Sequence, residues 1–588
     1  MPSVLSCARV VSLLCLLTAG AFSQAPNPAP AANSDPVYQQ LRNAGLSGES
    51  VSVSNFDLKR DAATFHLRSG TLCFLSPVQG KVTGAVFVGE GSMSLTPPIA
   101  IESKMLKLLT KEDTFNETFN RLVLRFTDSS YEELKKAGTP GGGCDAGPLK
   151  ESQDDLRWKL HYNLSARILQ DVLSTEPGGL FVAFIHGKRY EDKMMYTIDP
   201  HGVPGLLPEE VELSTYNPQN FGSWAAFHYS AEYKDGTASG GQKNGVIRIQ
   251  DQQLNTTIEK NGNLIGKAAT TFVARVDGLR VLPFNLFPAL RVDSVTGEGG
   301  QPLAFIQEDK REDADFSVVL PKPLAKGGKY TVTTSYAGKE AVSDEGGGNY
   351  FLNERARENW FPSGFNGFGE YVTYDMEFRI PKGMKMAASA NLVSEDNTAG
   401  QNITEWKSEG PQTVAAFNFG RFKMQEAKLD KPKFLVQSYA NEEPPDNIKS
   451  ILHAVRNELP EQRDPEPTMI DVDGRDPSQS SAGELSMGTM STLPLIKKSL
   501  AQGELAIQLY TDYFGPLSLS RLALTQQTRC DFGQAWPSLV WLPMCSFYDS
   551  TVRQQLGLND DRGYWRNVTP HEVAHQWWGH EVGFNSYR

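Results

Sequence analysis

The residues best suited to chemistry in this 588-residue sequence form the pattern His571-Glu572-Val573-Ala574-His575. On an α-helix, residues four apart project to the same side, so the two imidazoles could bind one metal ion. Neutral imidazoles are ligands of Zn²⁺, and the glutamate can reach a zinc-bound water without being a ligand. Zinc lowers the pKa of that water, and the carboxylate can accept its proton as the water attacks a peptide carbonyl. The pattern predicts His571 and His575 as zinc ligands and Glu572 as general base.

The residues just before the pattern predict where its helix begins. Thr569 is suited to the N-cap position and Pro570 to the first helical position. The same residues allow another interpretation, a capping box in which Glu572 only binds the amide of the cap residue. The sequence leaves both readings possible and favours the metal site.

His580 is a further histidine close to the pattern. It lies five residues after His575, which places it about 140° further round a helix. We therefore expect His580 to be a structural or supporting residue and not a zinc ligand.

The elements that must position the motif are a helix, a short strand and a loop that precede the motif helix in the sequence. Helical spacing of apolar residues runs from Ile496 to Phe514 and ends at Gly515-Pro516. A short strand is expected from Leu522 to Thr525, followed by an aromatic loop and then the motif helix. This order indicates that the motif belongs to a folded α+β domain.

Two β-rich regions precede that domain, at residues 51–271 and 272–425. Short alternating segments separated by glycine and proline are typical of both. In the second region, Tyr330–Tyr336 and Tyr374–Ile380 alternate apolar and polar residues, which predicts strands with one buried face. Turn residues between such strands favour an antiparallel sandwich or saddle over a parallel sheet. The first region indicates only a structural or accessory role.

Charge and the N-terminal residues restrict the partners and the location. The sequence has 57 Lys and Arg against 69 Asp and Glu, a net charge of −12, which argues against a nucleic-acid partner. Residues 1–23 have the layout of a secretory signal peptide, whose uncharged stretch from Val10 to Phe22 is too short to span a bilayer. We expect residues 24–50 to be a flexible leader, the mature protein to be secreted or periplasmic, and no transmembrane segment to remain after cleavage.

Four cysteines remain beyond the predicted signal peptide: Cys73, Cys144, Cys530 and Cys545. Four cysteines allow three pairings, and an oxidising compartment permits disulfides. A bond between Cys530 and Cys545 would enclose a single loop, but the sequence leaves the pairing open.

The run from His571 to Gly579, His-Glu-Val-Ala-His-Gln-Trp-Trp-Gly, resembles the aminopeptidase N-like gluzincin zinc metallopeptidases. The resemblance extends upstream through Asn359–Pro362 and Gly420–Phe422, so it covers roughly residues 272–588. It implies a multidomain fold with a β-saddle at 272–425 and a thermolysin-like α+β catalytic domain from 426 onward. It also implies one zinc ion and a peptide substrate.

Two departures from the family pattern affect the expected activity. The family's third zinc ligand is a glutamate that would fall beyond Arg588, so we expect the catalytic domain to be truncated and these 588 residues to be inactive alone.

The family's substrate loop carries Gly-x-Met-Glu-Asn before a proline. Alignment on the proline after Trp536 places the following residues there: Gly533, Gln534, Ala535 and Trp536. None is a carboxylate, so exopeptidase and endopeptidase action both stay open; Asp531 could substitute or be a solvated loop residue.

Three functions are compatible with these observations. Zinc-dependent peptide hydrolysis is the first, because the motif has a defined chemistry. A non-catalytic binding or scaffold protein with an incomplete metal site is the second. Epoxide hydrolysis is the third, which the resemblance permits but no residue specifically supports.

Overall fold

The computed structural model describes most of the chain between residues 30 and 583. The described ranges are 30–160, 162–190, 193–203, 208–216, 222–240, 245–312, 315–364, 370–397, 400–446, 448–450, 496–548, 553 and 564–583. The predicted signal peptide at 1–23 lies outside these ranges. Within them, no helix is both long enough and apolar enough to cross a membrane.

The first region is one antiparallel sheet of nine strands in the order β5-β1-β2-β3-β4-β6-β7-β8-β9. Its strands are β1 Leu46–Arg60, β2 Ala63–Leu75, β3 Gly84–Leu95, β4 Phe115–Phe126, β5 Gly138–Pro140, β6 Phe181–Gly187, β7 Met194–Ile198, β8 Val211–Thr215 and β9 Gly222–Phe227. Its helices are α1 Pro36–Arg42, α2 Ala100–Thr110, α3 Ser130–Lys135, α4 Gly147–Asp154, α5 Leu164–Leu173 and α6 Ser230–Asp235, with a π-helix at Asp155–Leu160.

Both faces of this sheet are buried along β4. Leu122 and Leu124 face one apolar cluster, whereas Val123 faces a second cluster that includes residues of α1 and α5. This division follows from the two-residue period of a strand. Residues 36–50 were expected to be a flexible leader, but they form α1 and the start of β1, because Tyr38 and Leu41 are buried in the second cluster.

The middle region contains fourteen strands. They are β10 Ile247–Ile258, β11 Leu264–Ala274, β12 Leu279–Phe284, β13 Arg291–Thr296, β14 Ala304–Ile306, β15 Phe316–Leu324, β16 Lys329–Gly338, β17 Val342–Gly346, β18 Asn349–Leu352, β19 Thr373–Pro381, β20 Lys385–Ala388, β21 Asn391–Asp396, β22 Gln401–Lys407 and β23 Phe417–Gly420. They form sheets of seven, three and four strands. The alternating burial of β16 and β19 confirms the strands expected near 330–336 and 374–380.

Strand pairing places the change of region earlier than the sequence suggested. β10 and β11 pair with each other, and β11 also pairs with β16 of the middle region. The boundary expected at residue 272 cuts through β11, and the pairing moves it between β9 and β10. The other described strand pairs of the seven-stranded sheet are antiparallel, as the turn residues favoured, whereas β10 and β19 run parallel.

Within the described residues, the last region is a mixed sheet in the order β24-β25-β26-β28-β27 with two helices. Its elements are β24 Phe422–Asp430, β25 Lys433–Asn441, α7 Ile496–Phe514, β26 Arg521–Gln526, β27 Gln534–Trp536, β28 Leu539–Leu542 and α8 Tyr564–Ala574. The helix expected from Ile496 and the strand expected near 522–525 are confirmed. The sheet begins at Phe422, slightly before the expected boundary at 426.

Two disulfides resolve the cysteine pairing. Cys73 bonds to Cys144, and Cys530 bonds to Cys545. The first joins β2 to the glycine-rich loop after β5, and the second encloses a loop between β26 and the segment that follows β28. Among the three pairings that the sequence left open, the structure adopts the one in which each bond joins cysteines of the same region.

Candidate metal centre

Helix α8 carries the histidine pattern, and it begins at Tyr564, six residues before the expected first helical residue, Pro570. Pro570 therefore lies inside the helix and Thr569 is not its cap, which corrects the sequence interpretation. The helix extends further because Trp565 and Val568 are buried in packing contacts that local capping rules do not include. Since Glu572 is in the helix interior, the capping-box alternative is excluded.

The two histidines of the pattern face each other at the end of α8. Their ring centroids are 4.9 Å apart, with the rings nearly perpendicular. His575 donates a hydrogen bond from Nδ1 to the carbonyl oxygen of Trp578 at 3.0 Å. That bond fixes the tautomer in which Nε2 carries the lone pair, as a metal ligand requires. Burial and the neighbouring His575 lower the pKa of His571, which keeps its imidazole neutral.

Glu572 lies on the buried side of the helix, with 5% of its surface exposed. Burial raises the pKa of its carboxyl to about 7. Gly533 approaches it so closely that a Cβ at that position would collide with the carboxylate. The glycine is therefore required by the close approach of the loop to the helix.

Gln576 fixes the position of the motif relative to the neighbouring strands. Its side chain is fully buried, and Oε1 accepts from the Ser538 amide at 2.9 Å while Nε2 donates to the Trp536 carbonyl at 3.0 Å. Ser538 has a positive φ of 58°, so this side chain holds a turn that few residues adopt. Trp577, the next residue, donates to the carbonyl of Gly515 at the end of α7 at 2.9 Å.

Replacing Gln576 with leucine is expected to destabilise the protein, because the Ser538 amide and the Trp536 carbonyl would stay buried without partners. Each unsatisfied group costs about 1–3 kcal/mol. Thermal unfolding and hydrogen exchange of residues 534–542 would measure the effect. Gln508→Leu is the matched control, because Gln508 is exposed on α7. Equal melting temperatures and unchanged exchange in the two variants would contradict the anchoring role.

A cavity of about 320 Å³ lies beside the motif, between the middle and last regions. Its walls include the following residues: Glu358, Glu370, Tyr374, Trp536, His575 and His580. One histidine of the pair therefore contacts a space large enough for part of a peptide.

The predicted substrate-loop residues lie along this cavity. Gln534, Ala535 and Trp536 line it, whereas Gly533 sits behind them against Glu572. Gln534 Oε1 accepts a hydrogen bond from Arg357 Nη1 at 2.7 Å, so its side chain is held by the middle region. These residues form β27, which pairs with β28, and their positions are therefore set by the sheet.

Carboxylates do line the cavity, but they come from residues that the sequence analysis did not single out. Glu358 and Glu370 belong to the middle region, whereas Asp531 is exposed and is not in the cavity wall. Glu358 keeps contact with solvent, yet the surrounding protein raises the pKa of its carboxyl. Glu370 is paired with Arg275 at 2.5 Å. The sequence signal that could have identified Glu358 is its position directly before Asn359–Pro362, a segment that carries the family resemblance.

His580 also lies in the cavity wall. Its ring is buried next to the backbone of Ala535, and burial lowers the pKa of the ring to about 4. The structure thus places a neutral imidazole beside Gln534–Trp536, and His580 is separate from the pair formed by His571 and His575.

A second group of possible ligands lies far from the motif, in the first region. His228 Nδ1 is 2.8 Å from Glu210 and 3.8 Å from Glu232. Burial favours the neutral ring, but the hydrogen bond to Glu210 and the nearby carboxylates outweigh it and raise the pKa of His228. The ring and the Glu210 carboxylate are already hydrogen-bonded to each other, so we interpret this group as a buried histidine–carboxylate pair.

No family model and no curated protein matches this sequence. The structural neighbours are M1 zinc metallopeptidases. An M1 zinc metallopeptidase from Deinococcus radiodurans is 16% identical, with 59% of this chain and 67% of that chain covered and a TM-score of 0.39. A mutant of it bound to the substrate Tyr-Ser-Ala is 16% identical, with 58% and 66% covered and a TM-score of 0.38. A two-domain form bound to L-arginine is 16% identical, with 59% and 68% covered and a TM-score of 0.39.

The match spans about two thirds of these neighbours' length. At such identity and TM-score the likeness carries no argument about activity.

Proposed function

We propose that this protein hydrolyses peptide bonds with a zinc ion held by His571 and His575, and with Glu572 as general base. The observation that carries the proposal is the facing histidine pair on α8 with the buried carboxylate of Glu572 between them in sequence, where His575 contacts a cavity large enough for part of a peptide. These residue types in this arrangement have a defined hydrolytic chemistry.

The donor set fits zinc. Burial and the neighbouring ring lower the pKa of His571, which favours the neutral form that binds a metal, and His575 is oriented by the carbonyl of Trp578. Catalytic zinc sites use three protein ligands. The described residues supply two at this position, and the resemblance assigns the third to a glutamate further along the polypeptide.

Residues of the protein have separate roles in proton transfer and in substrate binding. Zinc, when bound, supplies a Lewis acid that polarises the water and the peptide carbonyl. Glu572 accepts the proton of the attacking water and can return it to the leaving amine. The β27 segment Gln534–Trp536 lines the cavity and presents an edge along which an extended peptide could lie. Glu358, at the cavity wall, is the carboxylate placed to hold a positively charged substrate group.

Metal removal tests the proposal. Protein that also includes the third zinc ligand would be dialysed against a zinc chelator, and its cleavage of a mixed peptide library would be followed by mass spectrometry before and after zinc is restored. We expect cleavage to stop on removal and to return with zinc at about one ion per chain, and the cleaved positions would separate exopeptidase from endopeptidase action. Zinc-independent cleavage would overturn the mechanism. Zinc binding without any cleavage, by a polypeptide that also includes the third ligand, would favour the scaffold interpretation.

A further inference from the structure

Arg125 lies in the first region and is a buried cation. None of the described carboxylates is its partner. It lies on β4 on the same face as Val123 and has 3% of its surface exposed. Its Nε donates to the carbonyl of Thr83 at 3.3 Å, while Nη2 has no hydrogen-bond partner within the described residues. Burial lowers the pKa of the guanidinium to about 10, so it stays charged at neutral pH. A buried charge of this kind is costly unless something compensates it.

A small cavity of about 30 Å³ adjoins Arg125. Arg42 of α1 and Arg157 of the π-helix also line it, and so do the first residues of α5, Leu164 and Ser165. Asn163 accepts a hydrogen bond from the amide of Ala166 at 2.9 Å, whereas the amides of Leu164 and Ser165, at the start of α5, have no partner within the helix. Guanidinium groups and a helix N-terminus both favour an anion.

The nearby carboxylates are already used by other cations. Arg42 binds both oxygens of Glu308, at 2.5 and 3.0 Å, and also contacts Glu312 at 3.0 Å. Asp155 of the π-helix is paired with Lys193 at 2.6 Å. No described carboxylate is within ion-pair distance of Arg125, so its charge has no counterion in the described part of the protein.

We propose that this cavity binds one small inorganic anion of the size of chloride, held by Arg125 and the N-terminus of α5. The size follows from the cavity, which has room for about two water-sized positions. A tetrahedral phosphate has four oxygens around its phosphorus and needs more room. The site is independent of the zinc chemistry proposed above.

Bound anion would stabilise the contact between two regions of the protein. Arg125 and α5 belong to the first region, whereas Glu308, which also lines the cavity, belongs to the middle region. A ligand that binds only the folded state raises the melting temperature as its concentration rises.

Thermal unfolding in sodium chloride and in sodium gluconate at equal ionic strength is the first test. We expect chloride to raise the melting temperature of the wild type by about 2–4 °C, with saturation. Arg125→Met should lose this chloride dependence, because the methionine needs no counterion. Arg121→Met is the matched control, since Arg121 lies on the same strand and is exposed, and it should respond like the wild type. An equal response to chloride in Arg125→Met would overturn the proposal.

Crystals of the wild type soaked in sodium bromide give a second test, which does not depend on the folding of any variant. We expect an anomalous scattering peak within hydrogen-bond distance of Arg125 Nη2 and the first amides of α5. Absence of that peak at saturating bromide would overturn the proposal. A response to phosphate but not to chloride or bromide would overturn the assignment of the ligand.

Discussion

Replacing Glu572 with glutamine is expected to lower kcat/KM for peptide hydrolysis by about 10²- to 10⁴-fold while zinc stays bound. Glutamine has nearly the same shape, so it can occupy the buried space against Gly533 without moving the loop. Its amide oxygen cannot take the proton from the attacking water, and the general-base step is lost. The zinc ligands are untouched, because Glu572 is not one of them.

The measurement compares zinc content and peptide hydrolysis for the wild type, Glu572→Gln and Glu581→Gln, using protein that includes the third zinc ligand. Glu581 is exposed and contacts Ser518 at 2.7 Å, so its replacement removes an equal charge near the motif without touching the cavity. We expect Glu581→Gln to keep normal activity. Hydrolysis retained in Glu572→Gln would refute the assigned role, and so would a loss of zinc from that variant.

Replacing His575 with alanine is expected to weaken zinc binding by more than about 100-fold. Loss of a partner that only orients a ligand costs roughly 10- to 100-fold, and removal of the ligand itself should exceed that range. The facing arrangement with His571 predicts a similar loss for His571→Ala. Competition with a chromophoric chelator would give the affinities.

The His580→Ala variant distinguishes a histidine that binds zinc from one that only lies near the zinc site. His580 lies in the same cavity wall but outside the histidine pair. We therefore expect the zinc affinity of the His580→Ala variant to change by less than about 10-fold, which is smaller than the effect of losing a partner that orients a ligand. His66→Ala, in the first region, reports any general effect of removing a histidine. If His580→Ala weakened zinc binding as much as His575→Ala, the two-histidine assignment would be wrong.

Local pattern predicted much of the last region but not where the motif helix begins. The apolar spacing from Ile496 to Phe514 was sufficient for α7, because a helix of this length is specified by its own periodicity. The start of α8 depends on Trp565, which packs on Met544 and Cys545 from a different part of the chain. Local rules for caps and prolines could not include that contact.

Region boundaries were also beyond the reach of the sequence, for a different reason. β10 and β11 read as ordinary strands, and only pairing shows which sheet contains them. The partner of β10 is β19, more than a hundred residues later in the chain and parallel to it. Such pairing depends on long-range register, which local alternation does not specify.

The cavity wall shows the same limit. Gln534 and its neighbours were identified by alignment on a proline, but the carboxylates Glu358 and Glu370 reach the cavity from a separate region. Their role depends on how two regions pack together. The motif could be predicted from the sequence, whereas the residues that face it could be identified only from the fold.

The disulfide between Cys530 and Cys545 has a consequence for the chemical environment in which the cleft keeps its shape. The fifteen-residue separation encloses both β27 and β28, and therefore the segment from Gln534 to Trp536 that lines the cavity. Closing a loop of this length removes about 3 kcal/mol of chain entropy from the unfolded state. A thiol reductant would return that entropy to the unfolded chain, so the folded cleft wall should be less stable under reducing conditions even with the histidine pair intact.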